Sequence, residues 1–150
     1  MARVYLINTA FKIAYTNDQS VGTGCQNSRD DVLLVQFFLK VVSEGPEKDK
    51  YGVPGKMMTC DGSWGPTSQA FLNKFIAVNS AANPNFPLTQ DGRVDPVQGG
   101  KVIGSISHNV YTILALNTSY KNVRGVAAMM DITVDASFPA TLRPSIKIIQ

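Results

Sequence analysis

The most regular pattern of apolar positions lies between residues 28 and 45. Apolar residues recur on one helical stripe between positions 32 and 42, and others among them widen it beyond what an exposed helix tolerates. Ser28 stands where an N-cap residue is expected, two aspartates follow in the first turn, and Gly45 interrupts the pattern. The sequence therefore predicts a helix from Ser28 to Gly45 that is buried on more than one side.

A second helical pattern follows a tight turn in the stretch CDGSWGPTSQAFLNKF, residues 60–75. Gly62 and Gly65 permit backbone dihedrals that other residues avoid, and Pro66 has the fixed φ that suits a first helical position. The apolar residues that then recur at helical spacing are Phe71, Leu72, Phe75 and Ile76. This pattern predicts a helix that ends near Asn79.

A third helix is predicted from the ambiguous pattern VIGSISHNVYTILAL, residues 102–116. Its apolar spacing suits a helix, whereas its β-branched residues suit a strand. We favour a helix that begins near Ser105 or Ser107 and ends around Asn117.

The two ends of the chain favour strands. RVYLI and FKIAYT near the N-terminus predict a hairpin or edge ribbon, and MMDITVDASF and PSIKIIQ near the C-terminus predict two strands that pair with it. The polar stretches at residues 17–28 and 44–59 predict loops, and DGRVDP predicts a turn. The expected fold class is α+β, with a helical centre and short β-strands built from both termini.

Composition and charge narrow the function classes. The chain has 150 residues, of which 44% are hydrophobic and 17% charged, which is typical of a single globular domain. Its 14 basic and 11 acidic side chains are scattered, so we expect no nucleic-acid partner. We also expect no membrane segment and no signal peptide. If the protein acts outside the cytoplasm, it leaves by lysis, through a dedicated apparatus or inside a particle.

Candidate catalytic groups are few. His108, the only histidine, has no Cys, Asp or Glu beside it at ligand spacing, so the sequence predicts neither a metal site nor a nucleophilic relay. Asp61, Asp91 and Asp95 could pair as acid and base, but DG turns explain two of the three. We therefore expect a protein that is not an enzyme and has no cofactor.

The two cysteines, Cys25 and Cys60, leave the redox compartment open. A single pair could form one disulfide bond, although a chain of this size needs none to fold.

The order of these motifs resembles the peptidoglycan-binding-like domain, a three-helix module often attached to cell-wall hydrolases. The resemblance runs from 30 to 79 and more loosely from 91 to 117. The first helix matches the family pattern at Val32, Val35, Gln36 and Leu39. The turn and second helix match it at Asp61, Gly62, Trp64, Gly65, Ser68 and Phe75. On this basis we expect one domain, with a β segment and loop at 1–27, a helical core at 28–117 and a C-terminal β segment at 118–150.

The resemblance implies a non-catalytic module that holds peptidoglycan or a muropeptide in a groove between the first two helices. Trp64 has two possible roles, because the turn aims it at the core while one edge of its ring could line the groove. The expected ligand-binding residues are Gln36, Asp61, Trp64, Ser68 and Asn73. The alternative is a structural or adaptor subunit of a phage particle or secretion apparatus, which self-associates or binds a partner protein through its terminal strands.

Overall fold

The described residues form helices together with short strands, and most of the strands lie near the two ends of the chain, so the α+β class is confirmed. The computed structural model describes residues 3–6, 13–85, 87–97 and 111–148. The helices in these residues are α1 (Arg29–Glu44), α2 (Lys48–Tyr51), α3 (Pro66–Ala82), α4 (Thr112–Arg124) and α5 (Val126–Met130), with 3₁₀ helices at Ile132–Val134 and Ala140–Ser145. The strands are β1 (Arg3–Leu6), β2 (Ile13–Thr16), β3 (Val21–Gly22), β4 (Arg93–Val94) and β5 (Lys147–Ile148).

Helix α1 is the centre of the core, as its apolar pattern predicts. Its side chains are buried from Asp31 to Leu39, and it packs against α2, α3, α4 and the second 3₁₀ helix. Ser28 occupies the N-cap position, but its side chain makes no capping bond. The buried Asp31 carboxylate instead accepts backbone N–H bonds from Asp18 and Gln19 at 2.8 and 2.9 Å. This contact fixes the segment after β2 against the start of α1.

An aromatic cluster joins α1 to α4 and to the C-terminal segment. The Phe37 ring lies 5.3 Å from Tyr120 and 5.2 Å from Phe138, measured between centroids. Beside the cluster, the Asp135 carboxylate accepts bonds from the Tyr120 hydroxyl at 2.8 Å and from Arg124 Nε at 2.9 Å. Burial alone would raise the pKa of Asp135, but these bonds and the Ser137 N–H lower it below the ordinary value. The bonds of Asp135 to Tyr120 and Arg124 therefore hold the C-terminal segment against α4 at the edge of the cluster.

Both termini contribute to one three-stranded sheet, in the order β2-β1-β5. Strand β1 pairs antiparallel with β2 and parallel with β5, so the predicted hairpin and its pairing with the C-terminal segment are confirmed. On the other side of β2, the Asn117 side chain of α4 accepts from Tyr15 N–H at 2.7 Å and donates to Tyr15 C=O at 2.8 Å. The Asn117 amide thus occupies the outer edge of β2 where a further strand would bind.

The expectation of a structureless loop at residues 17–28 is wrong in part. Strand β3 lies in this segment and pairs antiparallel with β4, which lies within the DGRVDP stretch. Gly22 has φ +143°, and a Cβ atom at this position would stand 2.6 Å from the Gly92 carbonyl oxygen. A two-residue pair made by such close backbone approach carries no periodic signal in the sequence.

Several predicted boundaries also need correction. The loop at 44–59 contains helix α2, whose Tyr51 ring packs 5.5 Å from Phe75. Helix α3 continues past Asn79 to Ala82. Helix α4 begins at Thr112 and runs beyond Asn117 to Arg124, while the predicted starts at 105 and 107 lie outside the described residues.

The strand predicted in MMDITVDASF is wrong, because this segment forms α5 and the first 3₁₀ helix. Asp131 caps the 3₁₀ helix by accepting from Thr133 N–H at 3.1 Å. Ile132 is fully buried, and its N–H donates to the Tyr15 hydroxyl. These tertiary contacts outweigh the β propensity of the segment. Among the described helices, none combines the length and apolar character that crossing a membrane requires.

Candidate functional site

The turn at residues 61–66 is built on the buried side chain of Gln36. Its Nε2 lies 2.9 Å from the Ser63 carbonyl oxygen and 3.1 Å from both Asp61 Oδ1 and Ser68 Oγ. Its Oε1 accepts the Gly62 N–H at 2.9 Å. Because a buried amide needs partners for its donors and its acceptor, this one residue of α1 fixes both the turn and the start of α3.

Asp61 shapes the turn from the solvent side. Its carboxylate accepts the Ser63 N–H at 2.9 Å, which confirms the turn role expected from the sequence. The Ser63 N–H and then the Gln36 amide lower the pKa of Asp61. Gly62 has φ +78°, and Arg29 closes the turn by donating to the Asp61 carbonyl oxygen at 2.9 Å. The turn is therefore held from three sides.

Trp64 is half-buried, with one part of its ring against the core and another part lining surface clefts. Its indole N–H donates to Gln69 Oε1 at 2.8 Å. An indole whose only donor is bonded within the protein presents a neutral apolar face to a ligand.

Gln69 connects the tryptophan to two distant segments. Its Oε1 also accepts from the backbone N–H and the hydroxyl of Thr23, both at 2.9 Å. Its Nε2 donates to Asn73 Oδ1 at 3.0 Å and to the Gly92 carbonyl oxygen at 2.9 Å. Helix α3 thereby holds the β3 and β4 turns in place beside Trp64.

Clefts lie on both sides of this turn. A cleft of about 560 Å³ is lined by Thr23, Gly24, Asn27, Trp64, Gly65, Pro66, Gln69, Ala70 and Asn73. It adjoins a cleft of about 420 Å³ with which it shares Thr23, Gln69 and Asn73. A third cleft, of about 310 Å³, lies on the other side of Trp64 and includes Asp61, Ser63 and Ser68 in its lining. We call the 560 Å³ cleft the tryptophan cleft.

The five residues expected to bind a ligand lie around this turn, but in different roles. Gln36 is fully buried and lines none of the three clefts, so the expectation of ligand contact is wrong for it: its amide is used to hold the turn. Ser68 is also buried, although it lies at the wall of the third cleft. Asp61 is exposed there, and Asn73 is exposed in the tryptophan cleft. Trp64 lines both clefts, with Asp61 and Ser68 in the third cleft and Asn73 in the tryptophan cleft.

The binding residues predicted from the sequence leave out Gln69, Thr23 and Asn27, which line the tryptophan cleft. A signal for Gln69 does exist, because Gln69 and Asn73 stand four residues apart on one face of α3. Thr23 and Asn27 gave no such signal. Asn27 has φ +52°, and its side chain both accepts from and donates to the backbone of Gly22 at 2.9 and 2.8 Å.

The remaining candidate groups have structural partners. Asp95 accepts from the Ser20 hydroxyl at 2.6 Å and from Arg93 at 3.0 Å, and Asp91 accepts the Arg93 N–H at 3.0 Å. His108 lies outside the described residues. Within the described ranges, no three His, Cys, Asp or Glu side chains are grouped as a metal site requires.

Cys25 and Cys60 are free thiols. Burial raises the pKa of Cys60 to about 11 and also raises the pKa of Cys25. Since the thiolate is the reactive form, neither thiol is activated as a nucleophile.

The tryptophan cleft combines one aromatic face with amide and hydroxyl groups, and no ionisable side chain lines it. Such a lining suits a neutral ligand that has an apolar face and a rim of hydrogen-bonding groups. Comparison with known proteins gave no match, since no protein-family model, curated protein or solved structure matches the chain.

Proposed function

We propose that this protein is a non-catalytic module that binds the glycan of the bacterial cell wall in the tryptophan cleft. The observation that carries the proposal is the half-buried Trp64, whose N–H is bonded to Gln69 beside an uncharged polar lining. A sugar ring has a C–H face that packs on an indole and hydroxyl groups that bond to amides. The exposed Asn73 amide is the side chain best placed to bond such hydroxyls.

The resemblance to peptidoglycan-binding-like domains supports the same function. We assign α1, α3 and α4 to the three helices of that module, and the packing of α1 against both other helices supports the assignment. The DG-x-W-G motif on which the resemblance is based forms the turn that places Trp64 between two clefts.

The test is sedimentation of the purified protein with isolated sacculi. Wild-type protein is expected to pellet with the sacculi, and Trp64→Ala is expected to remain largely in the supernatant. Val126→Ala is the control, because Val126 is 63% exposed and lines none of the clefts described above. Far-UV circular dichroism establishes that each variant is folded. Equal pelleting of all three proteins, or of none, would overturn the proposal.

A second function, that of a structural subunit, is favoured by the terminal sheet. Asn117 occupies the outer edge of β2, while β5 is the opposite outer strand in the described part of the chain. An outer strand is a place for strand addition by another chain. Light scattering of the wild type and of a chain lacking residues 145–150 tests this role. Loss of self-association with intact sacculus binding would support it, whereas a wild-type monomer would exclude self-association through β5.

A further inference from the structure

A fourth cleft extends the site on the side of the turn away from Asn73. It has a volume of about 340 Å³ and lies between the end of α1, α2 and the start of α3. Met57 and Met58 line both this cleft and the 310 Å³ cleft that includes Trp64. The surface is thus continuous from the Trp64 ring across the two methionines, and we call its far end the lysine cleft.

The lysine cleft differs from the tryptophan cleft in its chemistry. Its floor is apolar, since Met58 and Phe71 are buried there, and Met57 remains 74% exposed. Contiguous apolar surface marks a place where a ligand or partner binds, and the exposed Met57 adjoins the apolar floor of this cleft. Met57 is one of the four most exposed apolar side chains in the described residues, and it is the one beside Trp64.

Two unpaired cations line this cleft. In the described part of the chain, two ion pairs lie on this surface. Lys40 Nζ is 2.7 Å from a carboxylate oxygen of Glu44, and Lys50 Nζ is 3.5 Å from a carboxylate oxygen of Glu47. Lys48 and Lys56, which line the cleft, form no ion pair there. The acidic members of the lining are Glu44, which Lys40 neutralises, and Asp49. Lys48 and Lys56 against Asp49 leave one net positive charge, which favours a ligand group that carries a carboxylate.

We propose that the lysine cleft binds a carboxylate-bearing peptide branch of the same polymer whose sugar lies on Trp64. This inference rests on the proposed function, because it assigns a second part of the wall polymer to a second part of one surface. Cell-wall glycan carries short peptides that end in carboxylates, and such a branch presents both small apolar side chains and negative charge. The apolar floor contacts the side chains, and the ammonium groups of Lys48 and Lys56 pair with the carboxylates.

The experiment compares two soluble probes by titration calorimetry at low salt: the wall disaccharide carrying its tetrapeptide, and the same disaccharide without the peptide. Wild-type protein is expected to bind the peptide-bearing probe about two- to thirtyfold more tightly, the range for two solvent-exposed ion pairs. Lys48→Gln with Lys56→Gln should reduce this difference and leave the affinity for the peptide-free probe unchanged. Raising the salt concentration should also reduce it.

The control is Lys50→Gln with Lys74→Gln, which removes the same charge from exposed positions outside the four clefts. This variant should keep the preference for the peptide-bearing probe. Equal wild-type affinities for the two probes, or a preference that is undiminished in the lysine-cleft variant, would overturn the inference while leaving the glycan site intact. Failure of both probes to bind would instead reject the proposed function, and this inference with it.

Discussion

Replacement of Gln36 by leucine tests whether one buried amide holds the tryptophan turn. Leucine has a similar volume, so the packing around α1 is largely retained while every hydrogen bond of the amide is lost. Four polar groups lose a bond to the amide: the Gly62 N–H, the Ser63 carbonyl, the Ser68 hydroxyl and the Asp61 carboxylate, which keeps its bond from the Ser63 N–H.

The cost follows from which of these groups water can reach. Asp61 and Ser63 are exposed and can be solvated, whereas Ser68 is buried and Gly62 is partly buried. With two poorly solvated groups at about 1–3 kcal/mol each, offset in part by the apolar leucine, the expected loss of unfolding free energy is about 2–4 kcal/mol. Ser68→Ala removes one partner only and should cost about 1 kcal/mol.

Urea unfolding followed by circular dichroism measures both losses. Trp64 is the only tryptophan, so its emission separately reports whether the turn opens in the folded protein. In the Gln36→Leu background, Ser68→Ala should cost at least about 0.5 kcal/mol less than it does alone, because the shared bond is already gone. A loss below about 1 kcal/mol for Gln36→Leu, with unchanged Trp64 emission, would refute the role assigned to this amide.

Three further predictions concern the surrounding structure. Gly22→Ala should destabilise the protein by about 1–3 kcal/mol, because the new Cβ meets a backbone oxygen, while Gly65→Ala should cost less than about 1 kcal/mol; equal losses would contradict this account. Asp135 has a lowered pKa in the folded state, so its contribution to stability is complete above the ordinary carboxyl pKa and is lost as the pH falls through the folded value. Asp135→Asn should therefore flatten the fall in stability between about pH 5 and pH 2 in urea unfolding, and a fall as steep as that of the wild type would contradict this. Cys60, with a pKa of about 11, should react with iodoacetamide at pH 8 far more slowly in the native protein than in urea, and equal rates by mass spectrometry would contradict its burial.

The parts of the fold that the sequence predicts are those specified by neighbouring residues. Helix α1 has its apolar stripe, acidic first turn and glycine stop within 18 consecutive positions, from Ser28 to Gly45. The turn before α3 likewise carries Pro66 and Gly62, which has φ +78°, but the expectation of a special dihedral is wrong for Gly65, whose φ is −127°. Both were predicted close to their observed bounds because local propensity and tertiary packing agree there.

The features that the sequence did not predict depend on contacts between distant residues. Gln69 became a central residue of the site only because Thr23, 46 positions earlier, and Gly92, 23 positions later, fold against it. Gln36 fits the family pattern, but no local pattern in the sequence predicts that its buried amide bonds to the backbone of Gly62 and Ser63. The helical form of the 126–134 segment depends on the Tyr15 hydroxyl, 117 positions before Ile132. No local pattern reports contacts of this kind.

The most direct test of the central claim is the emission of Trp64 during titration with soluble wall glycan that carries no peptide. If the sugar lies on the indole face, the emission should change with saturation, and acrylamide should quench the complex less than the free protein. Asn73→Ala, which removes the exposed amide of the tryptophan cleft, should weaken this response without changing the emission of the free protein. Emission and quenching that stay constant throughout a titration at millimolar glycan would contradict the claim that Trp64 is the binding surface.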